Sequence, residues 1–359
     1  MKTTWLQILR YQKFLHLITY VVILVALCPK IQSQNLAPLD PPVTVNVATD
    51  FSASDAAYYI AYSRGYFAEL GLKIKFTQFP SSTEMLPMLA IDQIQVAGGI
   101  TSTSFFNAID RGVGIRFLAD QGHNLPGKPF DTLVLRSGLL KEVKTIQDLR
   151  GKKIGLASIQ SLNEYKLEVI LNSADLNVQD IQIVVMESFP NITLALMNGV
   201  IDAAMHLEPF LTIGQEKGFF RQFVDLSRVA PQAQLSIMLG SQKFTEQIHV
   251  SGRFLVAYLR GVRDYVDTFL HGKKDESIYQ ILTKYTDLKD VNLWKKVSVP
   301  GLNPNGYFFK ESLDLQLKWY KKKGYYKGNL NVEKVTDYRP VDFAIHHLGR
   351  YENYPLKFE

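Results

Sequence analysis

Small polar side chains are concentrated in five loops, each of which follows a predicted β-strand. The loops span residues 50–55, 98–104, 120–123, 158–163 and 206–208. In open α/β sheets, ligands bind in the crevice beyond the carboxyl ends of the strands. Several of these loops lead into predicted helices, whose first backbone N–H groups attract anions and polar groups. Together the five loops predict a ligand-binding cleft.

The candidate ligand-binding residues lie in these loops or beside them. Hydroxyl groups can donate to a ligand, although each is equally suited to capping its helix. Aromatic residues can wall a cleft or pack in a core, and histidines are more often hydrogen-bonded structural residues than ligands. A carboxylate at the end of a buried strand is costly unless it is used. The candidates are Phe51, Ser54, Asp55, Tyr58, Thr101, Ser102, Gln121, His123, Ser158, Gln160, Ser161, Asn191, His206 and Glu208.

No motif for a catalytic or metal centre occurs in the sequence. It has no Gly-rich dinucleotide or phosphate loop, no His-Glu-x-x-His and no Gly-x-Ser-x-Gly. Cys28 is the only cysteine, and it lies within an apolar N-terminal run. This excludes a disulfide framework, a multi-cysteine zinc site and an iron–sulfur cluster within the chain. We therefore expect no catalytic residues, no metal and no cofactor, in a protein that is not an enzyme.

The composition is that of a globular protein whose body is close to neutral. The chain has 359 residues, of which 47% are hydrophobic and 21% charged, and its formal net charge is +6. Residues 1–33 contain four basic residues and no acidic one, which leaves +2 for the remainder. A nucleic-acid-binding protein should carry a basic stripe, so this class of protein is disfavoured.

The N-terminus has the pattern of a secretory signal. A basic segment ends at Lys13, an apolar run covers 14–28, and Ser33 supplies a small residue at a cleavage site. We predict a signal peptide or N-terminal anchor over 1–33 and a polar, proline-rich linker over 34–42. Lipidation at Cys28 is a third alternative, although the residue before it is not the small one that a lipobox has. We expect a periplasmic or exported protein, whether free or tethered by this segment.

Strand-like and helix-like segments alternate through the body, which is typical of an α/β fold with parallel sheets. The pattern restarts after Arg136, and a faint repeat aligns 89–97 with 196–204. We therefore predict two lobes that face a cleft: 43–125 and 126–230, with 231–359 returning to the first lobe and adding C-terminal helices. The predicted strands cover 43–48, 72–79, 94–97, 115–119, 153–157, 181–186, 203–206 and 235–239.

Three segments resemble a known family. Residues 61–72 (AYSRGYFAELGL) resemble the opening of exported substrate-binding proteins of ABC transporters, in the nitrate/sulfonate/taurine class that includes the thiamine-pyrimidine-synthesis-like domain. Residues 148–155 (DLRGKKIG) resemble the "dLkGKkig" segment of that class. Residues 195–203, followed by Glu208-Pro209, resemble its "aL..G.vDA…EP" segment. The order and spacing agree over about 45–270.

The resemblance implies a periplasmic-binding-protein type II clamshell, in which two hinged lobes close on a small solute. It also implies a monomer that delivers the solute to a permease and an ATPase on other chains. The loops contain no clear basic pair to hold a sulfonate or nitrate, whereas Asp50, Asp55 and Glu208 would favour a ligand with amino or ring N–H groups. The cysteine-rich segment of the pyrimidine-synthesising enzymes of the family is absent.

Two alternatives stay open beside the transport interpretation. The first is a ligand-sensing domain that reports to a receptor. The second is an enzyme on the same fold, which would act on a heterocycle with His206 or His123 as the base. Turnover separates the enzyme from the other two, because a binding protein returns its ligand unchanged.

Overall fold

The computed structural model describes residues 36–49, 53–79, 82–111, 114–229, 233–286 and 288–357. The described residues from Pro38 onward form one compact unit. The predicted signal peptide or anchor at 1–33 lies outside the described residues. Within the described ranges, no helix combines the length and the apolar character that a membrane crossing needs.

Within the described residues, ten strands form two mixed sheets of five strands each. In the first sheet the order is β2-β1-β3-β10-β4, and in the second it is β7-β6-β8-β5-β9. The strands are β1 (Val43–Thr49), β2 (Leu72–Gln78), β3 (Val96–Ile100), β4 (Ile115–His123), β5 (Asp131–Arg136), β6 (Lys153–Leu156), β7 (Gln182–Val185), β8 (Ala203–Leu207), β9 (Phe220–Val224) and β10 (Gln234–Ser241).

The chain passes between the sheets twice. It leaves the first sheet after β4, builds the whole second sheet, and returns with β10, which lies between β3 and β4. Strand β10 is antiparallel to both of its neighbours, and β5 is antiparallel to β8 and β9. The predicted fold class, two α/β lobes of the type II clamshell, is confirmed. The expected parallel pairing holds for β1 with β2 and β3 and for β6 with β7 and β8, whereas β5 and β10, which enter each sheet from the other lobe, are antiparallel to their neighbours.

Helices cover the sheets and form most of the C-terminal part. They are α1 (Ala56–Ser63), α2 (Ser82–Ala90), α3 (Thr103–Asp110), α4 (Leu162–Asn172), α5 (Phe189–Met197), α6 (Phe210–Glu216), α7 (Leu226–Val229), α8 (Gln242–Glu246), α9 (Ile248–Phe269), α10 (Glu276–Tyr285), α11 (Val291–Trp294), α12 (Lys310–Lys322), α13 (Val332–Val335) and α14 (Arg339–Leu348). Serine hydroxyls cap several of them. Ser102 accepts from the Phe105 N–H and Ser161 from the Glu164 N–H, which starts α3 and α4 at fixed residues.

Each lobe has an apolar core of its own. In the first lobe, Phe105 and Phe117 belong to the same buried cluster as Leu313 and Tyr320, so helix α12 packs on the first sheet. The 22-residue helix α9 packs against α1 and α14. At Gly261 an added Cβ would lie 2.4 Å from the carbonyl oxygen of Ala57, so α9 and α1 approach each other at a position that only glycine permits.

The repeat predicted from the sequence corresponds to the same local structure in both lobes. In one copy α2 leads through a turn to β3, and in the other α5 leads to β8. Asp92 and Gly199, which align in the repeat, both have positive φ, at 59° and 69°. Aspartate tolerates this left-handed conformation better than most residues, which explains how the first copy makes the turn without a glycine.

Candidate ligand-binding cleft

A cleft of about 550 Å³ opens between the two sheets, and both lobes contribute to its lining. This volume lies in the range that small-molecule sites occupy. The first lobe contributes Ser54, Ile100, Thr101, Ser102, Thr103, Ser104, Leu235 and Ser236. The second lobe and the chain entering it contribute Phe130, Asp131, Ala157, Ser158, Ile159, Gln160, Ser161, Leu162, Asn163, Phe189 and Leu207.

The two lobes meet where helices α3 and α4 begin. Ser102 and Ser161, their capping residues, form an isolated β-bridge across the gap. The Thr103 hydroxyl donates to the Gln160 carbonyl oxygen over 3.1 Å, and the Thr103 N–H points to the same oxygen at 3.4 Å. Both helix starts therefore lie at the cleft, each with the partial positive charge of a helix N-terminus.

A second contact joins the lobes through helix α4 and the end of α12. The Lys323 ammonium lies 2.9 Å from a Glu168 oxygen, and the Tyr325 hydroxyl donates to Glu164 Oε1 over 3.0 Å. The rings of Tyr165 and Trp319 meet edge to face at 5.6 Å. Burial, together with the carboxylate of Glu164, raises the pKa of Tyr325 to about 12, so its hydroxyl stays a donor at neutral pH. The lobes are held together on this side of the cleft.

Six of the residues predicted from the sequence line the cleft. They are Ser54, Thr101, Ser102, Ser158, Gln160 and Ser161. Three of them also have structural roles: the two serines that cap helices, and Thr101, whose hydroxyl donates to Gln316 Oε1 over 2.6 Å. Ser102 and Ser161 therefore both cap a helix and line the cleft.

The other predicted residues that the structure describes lie outside the cleft lining. Asp55, Tyr58 and Gln121 are buried in the first lobe. The Gln121 side chain donates to Asp55 Oδ1 over 2.8 Å, and the Tyr58 ring packs 5.0 Å from that of Tyr258. The Asn191 side chain donates to the Met186 carbonyl oxygen, which closes the start of α5. Phe51 falls outside the described residues.

His123 belongs to a buried hydrogen-bond network and does not line the cleft. Its ring is fully buried, with Nδ1 2.9 Å from Asp120 Oδ2 and Nε2 2.9 Å from the Tyr354 hydroxyl. The same Asp120 oxygen accepts from the Asn303 N–H, and Oδ1 accepts from the Gln234 side chain. Both ring nitrogens of His123 are engaged, and the network of His123 and Asp120 joins strands β4 and β10 to the C-terminal segment.

His206 is a core residue of the second lobe. Its ring packs nearly parallel to those of Phe189 and Phe210, whose centroids lie 5.9 Å from it and 6.4 Å from each other, and Nε2 lies 2.9 Å from the Thr193 hydroxyl. Burial lowers the pKa of His206 to about 4, because the charged imidazolium loses its hydration there. The imidazole is therefore neutral at neutral pH, and it supports the cleft wall through Phe189, which lines the cleft.

The low pKa of His206 predicts acid sensitivity. Between pH 6.5 and 4 the unfolded chain binds a proton at His206 that the folded protein does not, so stability is lost as the pH falls through this window. The full difference between the unfolded and folded pKa values corresponds to a loss of about 3 kcal/mol in the free energy of unfolding. Urea unfolding of the wild type and His206→Phe at pH 7.0 and 4.5 should show a smaller acid loss in the variant. The exposed His249→Asn serves as a control that keeps the wild-type loss, and an equal loss in all three proteins would refute the prediction.

Glu208 is buried beside the cleft, where the protein's own groups use its carboxylate. It accepts from the Thr212 N–H at 3.0 Å, from the Thr212 hydroxyl at 2.8 Å and from the Ser298 N–H at 3.2 Å. Burial raises the pKa of Glu208, and these three hydrogen bonds oppose that shift. These hydrogen bonds offset the energetic cost of burying the Glu208 carboxylate, and they connect α6 to the C-terminal part.

The sequence-based interpretation missed Asp131, which lines the cleft at the start of β5. Its carboxylate forms a buried ion pair with Lys166 of α4, a residue with no exposed surface. Burial lowers the pKa of Lys166, and the charge of Asp131 opposes that shift. The signal in the sequence was the β-prone run 132–135 (TLVL) directly after an aspartate, which marks a buried strand and a polar residue at its end.

The chemistry of the lining suits non-covalent binding of a small molecule. It offers hydroxyl groups, two helix starts, one carboxylate and apolar walls that include Phe130 and Phe189. Among the described residues, no group of three or more His, Cys, Asp or Glu side chains is arranged to hold a metal ion.

The chain is similar to a known protein family in sequence and to several solved structures in fold. A family profile described as NMT1/THI5 like matches residues 53–268. The periplasmic aliphatic sulphonate-binding protein SsuA from Escherichia coli superposes with a TM-score of 0.65 at 18% identity, over 82% of this chain and 97% of that one. The periplasmic nitrate-binding protein NrtA from Synechocystis has a TM-score of 0.65 at 12% identity, over 86% and 89%.

A third similar structure contains a bound molecule. The alkanesulfonate-binding protein SsuA from Xanthomonas axonopodis, bound to MOPS, has a TM-score of 0.62 at 15% identity, over 83% of this chain and 99% of that one. No curated protein sequence matches the chain. The structural likeness spans both lobes and therefore the whole cleft-forming architecture.

Proposed function

The chain belongs to the NMT1/THI5-like family, and on that premise we propose that it is an exported solute-binding protein. It captures a small polar organic molecule or anion in the cleft between its lobes and delivers it to an ABC importer. The observation that carries this proposal is the cleft itself, because both lobes line it and polar groups from both converge there. The similar proteins described as sulfonate-binding and nitrate-binding support the same role.

The proposed mechanism is closure of two lobes about the chain crossings. In this proposal 43–125 and 231–359 move as one body and 126–230 as the other. A solute that contacts both lobes favours the closed arrangement by its differential affinity for it. The contacts of α4 with α3 and α12 add protein–protein bonds to the closed form. The importer would then recognise the closed surface.

We further propose that the solute is released chemically unchanged. The two histidines weighed as bases, His123 and His206, do not line the cleft, and their ring nitrogens contact groups of the protein itself. Export through the segment 1–33 would place the protein in the periplasm or outside the cell, as the periplasmic origin of the similar proteins supports. The partners are a permease and an ATPase on other chains, and the protein acts as a monomer.

A thermal-shift screen with a blocked cleft tests the binding function. A solute at 100 times its dissociation constant should stabilise the wild type by about 2.7 kcal/mol. In Ser158→Trp the indole should fill the cleft and abolish the shift. Lys217→Trp adds the same ring at an exposed position at the end of α6 and should respond as the wild type does. A shift that persists in Ser158→Trp would place binding elsewhere.

A further inference from the structure

Asp131 lines the cleft, and one oxygen of its carboxylate has no hydrogen-bond partner among the described residues. Only 5% of the residue is exposed, and it is one of the lining residues. Its Oδ2 accepts from the Lys166 ammonium, whereas its Oδ1 is buried and accepts no hydrogen bond from the described residues. A buried carboxylate oxygen without a donor is costly, so such a group calls for a partner that is missing from the protein alone.

Lys166 fixes the carboxylate in this position. It is fully buried on α4, next to the core residues Leu167 and Ile170, and it is not part of the cleft lining. The ammonium therefore binds the carboxylate from behind the cleft wall, leaving Oδ1 as the unused acceptor. A preorganised acceptor of this kind selects ligands that donate a hydrogen bond.

The remainder of the lining disfavours a simple anion beside Asp131. Asp131 is the only charged side chain among the lining residues that the structure describes. Ile100 and Ile159, from opposite lobes, also line the cleft and are 48% and 49% exposed, so the cleft walls favour an apolar or ring-shaped body. Acceptor groups of a ligand have a separate place at the starts of α3 and α4. An anion against Oδ1 would meet a carboxylate instead of a donor.

We propose that Asp131 is a ligand-binding residue and that the solute presents an N–H donor group, neutral or cationic, to its Oδ1. The proposal rests on the solute-binding function and narrows the class of solute. Nitrate and unsubstituted alkanesulfonates contain no N–H group, so they are not the solutes of this protein. A molecule that combines an N–H group with an acceptor group at its other end would use both parts of the cleft.

Matched pairs of compounds test this on the wild-type protein. Benzamidine and benzoate share a ring, and taurine and ethanesulfonate share a sulfonate, but only the first of each pair carries N–H donors. Isothermal titration should show binding by an N–H compound, with its partner at least about 10-fold weaker, as expected for a lost hydrogen bond to a charged group. Nitrate should not bind.

Variants connect the preference to Asp131. Asp131→Ala alone leaves Lys166 buried without a counter-charge, so Asp131→Ala with Lys166→Met removes both charges and preserves the fold. This double variant should lose the preference, with at least about a 10-fold fall in affinity for the N–H compound. Asp314→Asn changes an exposed carboxyl on α12, outside the lining, and should keep the wild-type affinity. If the double variant does not fold, the relative affinities of the paired compounds for the wild type still test the proposal.

The outcomes separate this inference from the proposed function. Tighter binding of benzoate, ethanesulfonate or nitrate than of the N–H compounds would overturn the inference and leave solute binding intact. Undiminished binding to the folded double variant would also overturn it. Binding by none of the five compounds would count against both.

Discussion

Replacing Lys166 with methionine should lower the free energy of unfolding by about 3–5 kcal/mol. The ammonium is fully buried and pairs with Asp131, which is 5% exposed. Without it, a carboxylate would remain in the interior with no counter-charge. Urea unfolding at pH 7 measures the change directly. This is one of the two largest effects that we expect from a single substitution in this protein.

Two comparisons show whether the loss comes from the broken pair. Asp131→Ala combined with Lys166→Met should recover most of the stability, because no unpaired charge is left. Lys295→Met breaks an exposed pair with Glu276, at 39% and 61% exposure, and should cost less than about 1 kcal/mol. A loss in the Lys166 variant no greater than in the Lys295 variant would contradict the account.

Asp120→Asn should cost at least about 3 kcal/mol. The carboxylate is 1% exposed and accepts four hydrogen bonds: from the Gly122 N–H and the Gln234 side chain through Oδ1, and from His123 and the Asn303 N–H through Oδ2. Asparagine would set an amide donor against two of these donors. This network joins β4 and β10 to the C-terminal segment, so its loss weakens the lobe as a whole.

The measurement for Asp120 is again urea unfolding at pH 7. Asp314→Asn makes the same chemical change at an exposed position on α12 and should alter stability by less than about 0.5 kcal/mol. If the two variants are equally stable, the buried network does not contribute as we describe. Near-ultraviolet circular dichroism would show whether the tyrosine environments near the network change with it.

The strands were more predictable than the sheets that they form. Alternating or continuous apolar runs located β1 and β2 and the short strands β3, β6 and β8, since their local pattern reflects burial. Strands β5 and β9 were missed, although β5 lies inside the second sheet. The direction of β5 and β10 depends on where the chain crosses between lobes, which is a long-range property that local sequence patterns do not encode.

In the candidate site, too, residues whose role depends on local sequence were predictable, and residues whose role depends on long-range contacts were not. The rule that polar loops follow strands found the serines of both helix starts, because capping and cleft lining coincide there. It failed for His123, whose partner Tyr354 lies 231 residues away in sequence. It failed for Asp131 because the pairing with Lys166 is visible only after β5 and α4 are assembled. Residues that face a long-range partner look the same in the sequence as residues that face a ligand.

The central claim, that the cleft between the lobes binds a solute, is tested most directly by capture from a mixture of small metabolites. The wild type and Ser158→Trp would be incubated with the same cell extract, separated from free compounds and unfolded, and the released molecules identified by mass spectrometry. We predict that the wild type retains one compound in a 1:1 ratio, releases it unchanged, and that Ser158→Trp retains none. Equal retention by the two proteins, or no retention by either, would contradict the claim.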